Sequence, residues 1–344
     1  MDSAEAVFFV LLRFAGAGFL KIVKSVIYYP EYIKTGDHRM FKKLFLPVGM
    51  VLAIVISFLY PPAGIWMKKV IGSNPFIVII FLICGWRTKF GDMNFDKKFL
   101  VNFLVCGIIS LIASPLIGLG LGRALRLDEM AILGLIIISC VPPTLSSGIV
   151  MAETAGGNVL LAMMMTVIYN LVGVVTMPLV ISWCVSGNAE IDTNPLKMFL
   201  DLLLLVLLPF FIGWAVQKFA KLKPPAWTGY LPSACVILLI LCFFSGARDK
   251  FLSYDLKLLA IAVCAGILLR LIFLAIFYYG GILLKMERKD RIGAMFTAGS
   301  KSLTIALTML AIIGAGNSTA IIPCMVFYAL QAMIDSVLAA KLKA

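Results

Sequence analysis

Two short polar stretches interrupt long apolar runs of this chain, and their residue types could bind a charged or polar ligand. The first is Val141-Pro-Pro-Thr-Leu-Ser-Ser147, and the second is Ala298-Gly-Ser-Lys-Ser-Leu-Thr304. Proline has no backbone N–H and its ring clashes with the preceding turn, so Pro142 and Pro143 in succession break a helix. The freed helix ends carry partial charges that suit ions and polar substrates. The pattern therefore predicts a binding site at paired helix breaks.

The candidate binding residues lie in these two stretches or in the apolar run that follows the first. They are Pro142, Pro143, Thr144, Ser146, Ser147, Thr166, Asn170, Gly299, Ser300, Lys301, Ser302 and Thr304. Thr166 and Asn170 are one helical turn apart and so present polar groups on one face. The same two residues could instead hold neighbouring helices together. One helix break alone would indicate only a kinked helix that serves packing. Matching breaks in the two polar stretches favour a ligand-binding site.

Lys301 is the most informative of these residues. A cation at the centre of an apolar span costs about 2.5–3.5 kcal/mol, so it needs a function or a partner. It could be a fixed charge at a transport site, or it could pair with an acid such as Glu153 or Asp335. Arg270, deep in another apolar run, leaves the same two alternatives open: an anionic substrate or an acidic partner.

Other kinds of chemistry are excluded by what the sequence contains. His38 is the only histidine, which excludes His-based catalytic triads and H-E-x-x-H metal sites. The eight cysteines lie mainly in apolar runs and form no C-x-x-C pair, which argues against a disulfide framework or a zinc site. We therefore expect neither an enzyme nor a resident cofactor.

The elements that position these residues must be membrane spans. The chain has 344 residues, 62% of them hydrophobic and 14% charged, with a mean hydropathy of +1.05. Soluble domains have about 45–50% apolar and about 25% charged residues. The predicted spans are ten in number and lie at about 44–60, 70–86, 99–122, 129–153, 158–186, 198–217, 228–247, 256–281, 292–313 and 319–339. The net charge of +13 comes from lysines and arginines at span ends, so nucleic-acid binding is not expected.

The loops predict the orientation. If the N-terminus is cytoplasmic, the inside segments hold 20 Lys and Arg and the outside loops hold 8. The positive-inside rule then places both termini in the cytoplasm, and we expect the cell membrane. Residues 1–42 form a separate segment, interpreted as an amphipathic helix on the membrane surface, with a true span as the alternative. Residues 43–340 would form a ten-helix membrane domain.

Ten spans divide into halves of five, and an odd number of spans inverts the second half relative to the first. The repeats would cover about 43–187 and about 197–340. Matching sequences support this division, because the fourth span ends Ala155-Gly-Gly-Asn158 and the ninth ends Gly314-Ala-Gly-Asn317. The sequence thus predicts an inverted repeat with the fourth span of each half broken.

With these motifs the chain resembles the bile acid:sodium symporter family, in particular the branch of its orphan seventh member and bacterial relatives. The matching segments are Pro142-Pro-Thr-Leu-Ser-Ser-Gly-Ile-Val-Met-Ala-Glu-Thr-Ala-Gly-Gly-Asn158, Gly299-Ser-Lys-Ser-Leu-Thr304 and Phe81-Leu-Ile-Cys-Gly-Trp-Arg-Thr88. The resemblance implies an all-α fold of ten helices in two inverted five-helix repeats. Spans 1, 2, 6 and 7 would make a panel, and the other six a core in which broken helices 4 and 9 cross. Substrate would bind between panel and core and move by alternating access.

The resemblance also implies sodium ligands that this chain largely lacks. The family's sodium-ligating Glu of span 9 aligns near Met295, and its Ser-Asn pair of span 4 aligns near Gly148 and Ile149. Of the span 5 ligands, Thr166 matches and Ala162 does not. We therefore expect Lys301 to act as a tethered cation in place of sodium, satisfying the oxygens of Ser146, Ser147 and Thr166.

The predicted function is secondary active transport of an organic anion, bile-acid-like or another small carboxylate, by alternating access. The partners are the lipid bilayer and that anion. Burial disfavours the charged form of a lysine, so a proton is the alternative to sodium as coupling ion. A second hypothesis is a regulatory or scaffold membrane protein that keeps the fold without transporting.

Overall fold

The computed structural model describes residues 38–88, 97–145, 147–185, 194–220, 222, 224–316 and 318–343. The α-helices, in chain order, are α1 His38–Leu59, α2 Pro61–Val70, α3 Asn74–Arg87, α4 Lys97–Ile108, α5 Ser114–Ala124, α6 Glu129–Cys140, α7 Ser147–Thr154, α8 Val159–Val185, α9 Pro195–Leu202, α10 Leu208–Phe219, α11 Leu231–Ser253, α12 Leu256–Leu283, α13 Arg288–Thr297, α14 Leu303–Ile312 and α15 Ile321–Lys343. Single π-helical turns, Ile109–Ala113 and Leu203–Leu207, join α4 to α5 and α9 to α10. Ser146 and the apolar run from Ala6 to Leu20 lie outside the described residues, so the predicted N-terminal helix stays a prediction.

The described residues are helical, with no strand among them, and the helices are apolar enough for a membrane. Six continuous helical segments in this part of the chain have the length and composition of membrane spans, and they coincide with predicted spans 3, 5, 6, 7, 8 and 10. The pair α1 and α2, bent by 101°, adds a seventh if it is counted as one span. Helices α3, α6 and α14 are apolar but shorter. The prediction of an all-α integral membrane protein is confirmed.

The chain forms two compact units, of which the smaller contains α1, α2 and α11. Pro61 and Pro62 occupy the first positions of α2, where their missing N–H groups cost nothing, and α1 ends just before them. At Gly64, α2 lies so close to α11 that a Cβ atom would be 2.4 Å from the carbonyl oxygen of Leu241. A glycine is therefore required where these two helices meet.

The larger unit comprises Ile77–Pro224 and Lys257–Ala344 and contains all the candidate binding residues that the structure describes. It also contains most of α3 together with α9 and α10, which the resemblance assigns to the panel. The reason is local packing, because α9 lies along α8. The two units therefore do not coincide with the implied panel and core.

The two predicted helix breaks are confirmed. The predicted fourth span is interrupted between Cys140 and Ser147, and the predicted ninth span is interrupted between Thr297 and Leu303. The two interrupted helices approach each other closely at Gly148, where a Cβ atom would lie 2.7 Å from the carbonyl oxygen of Phe296. The breaks thus lie against each other inside the larger unit, although they are far apart in the sequence.

Candidate functional site

The first break is held by partners outside its own helix. Pro142 and Pro143 are buried, and their carbonyl groups lack helical partners. The Pro142 oxygen accepts the N–H of Ser302 at 3.1 Å, which joins the two breaks directly. The Pro143 oxygen accepts Nδ2 of Asn170 at 3.0 Å. These bonds satisfy backbone groups that would be costly to bury unpaired.

Hydroxyl groups lie between the two breaks. Thr144 Oγ1 accepts the N–H of Gly148 at 3.1 Å and the hydroxyl of Ser147 at 2.7 Å, so it caps the first turn of α7. The same oxygen is 3.5 Å from Oγ of Ser300, which donates to the carbonyl of Thr297 at 2.9 Å. The structure thus brings Thr144, Ser147 and Ser300 together.

Every N–H in the second break has a partner in the larger unit. Gly299 and Ser300 bond back to Ala294 and Thr297. The Lys301 N–H donates to Oε1 of Gln331 at 2.8 Å, and Nε2 of Gln331 donates to the Lys301 oxygen at 3.2 Å. With Ser302 bonded to the first break, the N–H groups of residues 299–302 are all paired without helical geometry.

The ammonium group of Lys301 is completely buried and points at the helix pair α4–α5. Nζ donates to the carbonyl of Ser110 at 2.6 Å and to Oγ of Ser114 at 3.0 Å. It also lies 5.3 Å from the ring centroid of Phe273, within the range of a cation–π interaction. Among the described residues, no carboxylate lies within ion-pair distance of Nζ.

The π-helical turn explains why Ser110 can receive this cation. In an α-helix, the Ser110 carbonyl would accept the N–H of Ser114, but that N–H donates to the carbonyl of Ile109 instead. The next residue, Pro115, has no N–H to offer. The Ser110 oxygen is therefore left for side chains, and it accepts both the Ser114 hydroxyl at 2.6 Å and the Lys301 ammonium.

A buried ion pair fixes the other side of the second break. Arg270 is 0% exposed, and its Nη2 and Nε lie 2.5 and 2.8 Å from Oδ1 of Asp335. Its Nη1 donates to the carbonyl oxygen of Gly299. Of the alternatives for Arg270, the structure shows the acidic partner. Because Asp335 is taken up in this pair, it is not the partner of Lys301.

The expected contacts of Lys301 are wrong in part. The ammonium bonds to Ser110 and Ser114 and not to Ser147 or Thr166. The Ser147 hydroxyl donates to Thr144, and the Thr166 hydroxyl donates to the carbonyl of Ala162 at 2.8 Å. Ser146 lies outside the described residues. Thr304 is in the first turn of α14, beyond the break, and its carbonyl accepts the Thr308 hydroxyl.

Three residues that bond to Lys301 were not among the predicted site residues: Ser110, Ser114 and Gln331. A signal was available for the two serines, since Ser110, Ser114 and Pro115 interrupt an otherwise apolar span. Polar residues near a proline inside a span often mark a deformed helix whose freed carbonyl needs a partner. Gln331 carried a similar signal as a polar residue in the tenth span.

Comparison with known proteins identifies the kind of molecule to which this geometry belongs. Residues 45–344 match the SBF-like CPA transporter family. The chain belongs to this family. The resemblance noted from the motifs is thereby confirmed, and the chain is a multi-pass membrane transporter rather than an enzyme.

Relatives from plants and animals cover most of the chain at low identity. A probable chloroplastic sodium/metabolite cotransporter, BASS4 of Arabidopsis thaliana, is 26% identical over 86% of this chain and 71% of its own length. Sodium/bile acid cotransporter 7-B of Xenopus laevis is 25% identical over 89% of this chain and 93% of its own. Sodium/bile acid cotransporter 7 of Mus musculus is 23% identical over 88% and 93%.

Proposed function

We propose that this protein is a secondary active transporter of the cell membrane that moves a small organic anion by alternating access, without coupling to sodium. The observation that carries the proposal is Lys301, a buried cation at the meeting point of two broken helices. Buried charges in membrane proteins mark transport pathways, and a cation favours an anionic cargo. The relatives' names, which include bile acid and metabolite cotransporters, support a bile-acid-like or other small carboxylate.

The lack of sodium coupling follows from the charge balance of this region. Met295 stands near the position of the family's sodium-ligating carboxylate, and it is buried among apolar side chains. The Asp335 carboxylate is neutralised by Arg270. An additional cation bound nearby would face the fixed charge of Lys301 with no opposing carboxylate. A proton carried by Lys301 is the alternative coupling ion.

Repeated local geometry supports ten spans in two inverted halves. Arg126 and Lys285, after the third and eighth spans, have positive φ angles of 54° and 53°. Each lies within the same kind of turn, in which the Leu127 N–H bonds to the carbonyl of Gly122 and the Met286 N–H to the carbonyl of Gly281. Gly156 and Gly314 likewise have φ angles of 73° and 77° after the two broken spans. Inverted repeats of this kind are typical of transporters that work by alternating access.

The orientation with both termini in the cytoplasm is part of the proposal. Loops predicted to be inside contact one another: Asn158 N–H bonds to the carbonyl of Lys289, and Arg288 donates to the carbonyl of Leu342. Activity reporters fused after Lys289 and after Lys343 should both report cytoplasm, and a fusion after Arg126 should report the outside. A cytoplasmic signal from Arg126, or an external one from Lys289, would overturn this orientation.

The transport proposal is tested with purified protein in proteoliposomes. We expect uptake of radiolabelled cholate or a short carboxylate without sodium on either side, and faster uptake when a pH gradient is imposed. Protein-free liposomes and a sodium gradient alone are the controls. A strict requirement for sodium would refute the coupling proposal. Absence of uptake for every anion tested would favour the regulatory or scaffold function.

A further inference from the structure

The break in the predicted ninth span contains a charged residue whose backbone N–H and C=O have no helical partners. Lys301 lies between α13 and α14, and its N–H and C=O are both bonded by one side chain, that of Gln331. Gln331 is 2% exposed and lies on α15, one helical turn before Asp335. Two hydrogen bonds from one side chain fix the orientation of the Lys301 backbone as well as its position.

The first half of the chain has a weaker counterpart of the contact between Gln331 and Lys301. Counted back from the glycine with a positive φ angle after each break, Pro143 precedes Gly156 by 13 residues and Lys301 precedes Gly314 by 13, so the two residues occupy matching places relative to these turns. The amide of Asn170, in the span after the first break, bonds the Pro143 carbonyl. Proline has no N–H, so only one contact is formed, and Oδ1 of Asn170 is left without a partner. The pair of hydrogen bonds occurs only in the half that carries the charge.

We propose that Gln331 is a positioning residue for Lys301, holding the peptide so that the ammonium group reaches the Ser110 carbonyl. The lysine side chain is long, so a small rotation of an unrestrained peptide would move Nζ away from its oxygens. Arg270 and Asp335 hold Gly299, two residues earlier, and leave the Lys301 peptide itself to Gln331. The role in transport rests on the proposed function, whereas the role in holding the peptide does not.

Hydrogen–deuterium exchange tests the positioning without any transport measurement. In purified protein in detergent, Gln331→Met should raise exchange in peptides covering residues 298–304 by about tenfold, because the Lys301 N–H loses its acceptor. The matched control is Ser336→Ala, on the same helix, which removes only a bond to the carbonyl of Ala332. It should leave exchange in this segment unchanged. Unchanged exchange in Gln331→Met would overturn the proposal, as would an equal rise throughout the protein.

A conservative variant keeps the proposal testable if Gln331→Met does not fold. Gln331→Glu retains an oxygen for the Lys301 N–H, so protection of residues 298–304 should stay within about twofold of the wild type. Loss of protection in this variant would also overturn the proposal. In proteoliposomes, Gln331→Met should lower the maximal uptake rate by about tenfold with a smaller change in KM, since Lys301 is displaced but not removed. Wild-type exchange combined with lost transport would point to a different role for Gln331.

Discussion

Lys301→Ala is expected to lower uptake of the organic anion by about 30-fold or more. The change removes a fully buried charge and leaves the Ser110 carbonyl and the Ser114 hydroxyl facing an empty space, and a hydrogen bond to a charged group contributes about 1.5–3 kcal/mol. Lys301→Arg should also impair transport, because the planar guanidinium differs in shape from the compact ammonium that these two oxygens hold. The measurement is the initial rate of uptake into proteoliposomes without sodium.

The matched control is Lys341→Ala, which removes an exposed lysine near the end of α15 and should leave the rate unchanged. Protein content and orientation in the liposomes must be equal for all variants. Wild-type uptake in Lys301→Ala would show that the buried cation has no part in transport. Sodium-dependent uptake in the wild type would show that Lys301 does not replace the mobile ion.

The interruptions of the fold could be predicted because their cause is local. Pro142 and Pro143 break a helix wherever they occur in a span, and the polar stretch around Lys301 differs sharply from its apolar surroundings. The structure places both breaks where the sequence predicts them. The six long spans were predictable for the same reason, since hydropathy changes abruptly at the ends of an apolar run.

The partner of Lys301 could not be predicted, because it depends on a long-range contact and on a deformed helix. Ser110 lies 191 residues from Lys301 in the sequence, and its carbonyl is free only because of the π-helical turn before Pro115. A model based on regular helices would have paired that carbonyl within α4 and α5. The oxygens of Ser147 and Thr166 were the expected partners, but the ammonium bonds to Ser110 and Ser114 instead, and the two hydroxyls donate to oxygens one turn away or less.

The sequence left open whether Arg270 pairs with an acidic residue or with a substrate, because this too depends on a long-range contact. Spacing along the chain cannot decide whether a buried arginine faces a ligand or an acid on another span. Burial settles which pairing is stable, since an unpaired ion in this environment would be far more costly than a paired one. The two residues are 65 positions apart, and their contact is a consequence of how α12 and α15 pack.

Asp335→Asn is expected to destabilise the protein by about 3–5 kcal/mol, because it leaves the guanidinium of Arg270 buried without a compensating charge. The measurement is thermal unfolding of the purified protein in one detergent. The control is Asp249→Asn, which breaks the exposed pair of Arg248 and Asp249, where the aspartate is 92% exposed. A surface pair contributes about 0–1 kcal/mol, so this control should change the unfolding temperature little.

Combining Arg270→Met with Asp335→Leu separates stability from positioning. Replacing a buried ion pair by apolar side chains of similar size is often neutral or stabilising, so the double variant should recover most of the unfolding temperature lost in Asp335→Asn. Uptake by the double variant should stay below the wild-type rate, because the Gly299 carbonyl has lost the Arg270 donor that holds the second break. If the double variant transports at the wild-type rate, the pair contributes only to stability, and the break is held sufficiently by Gln331.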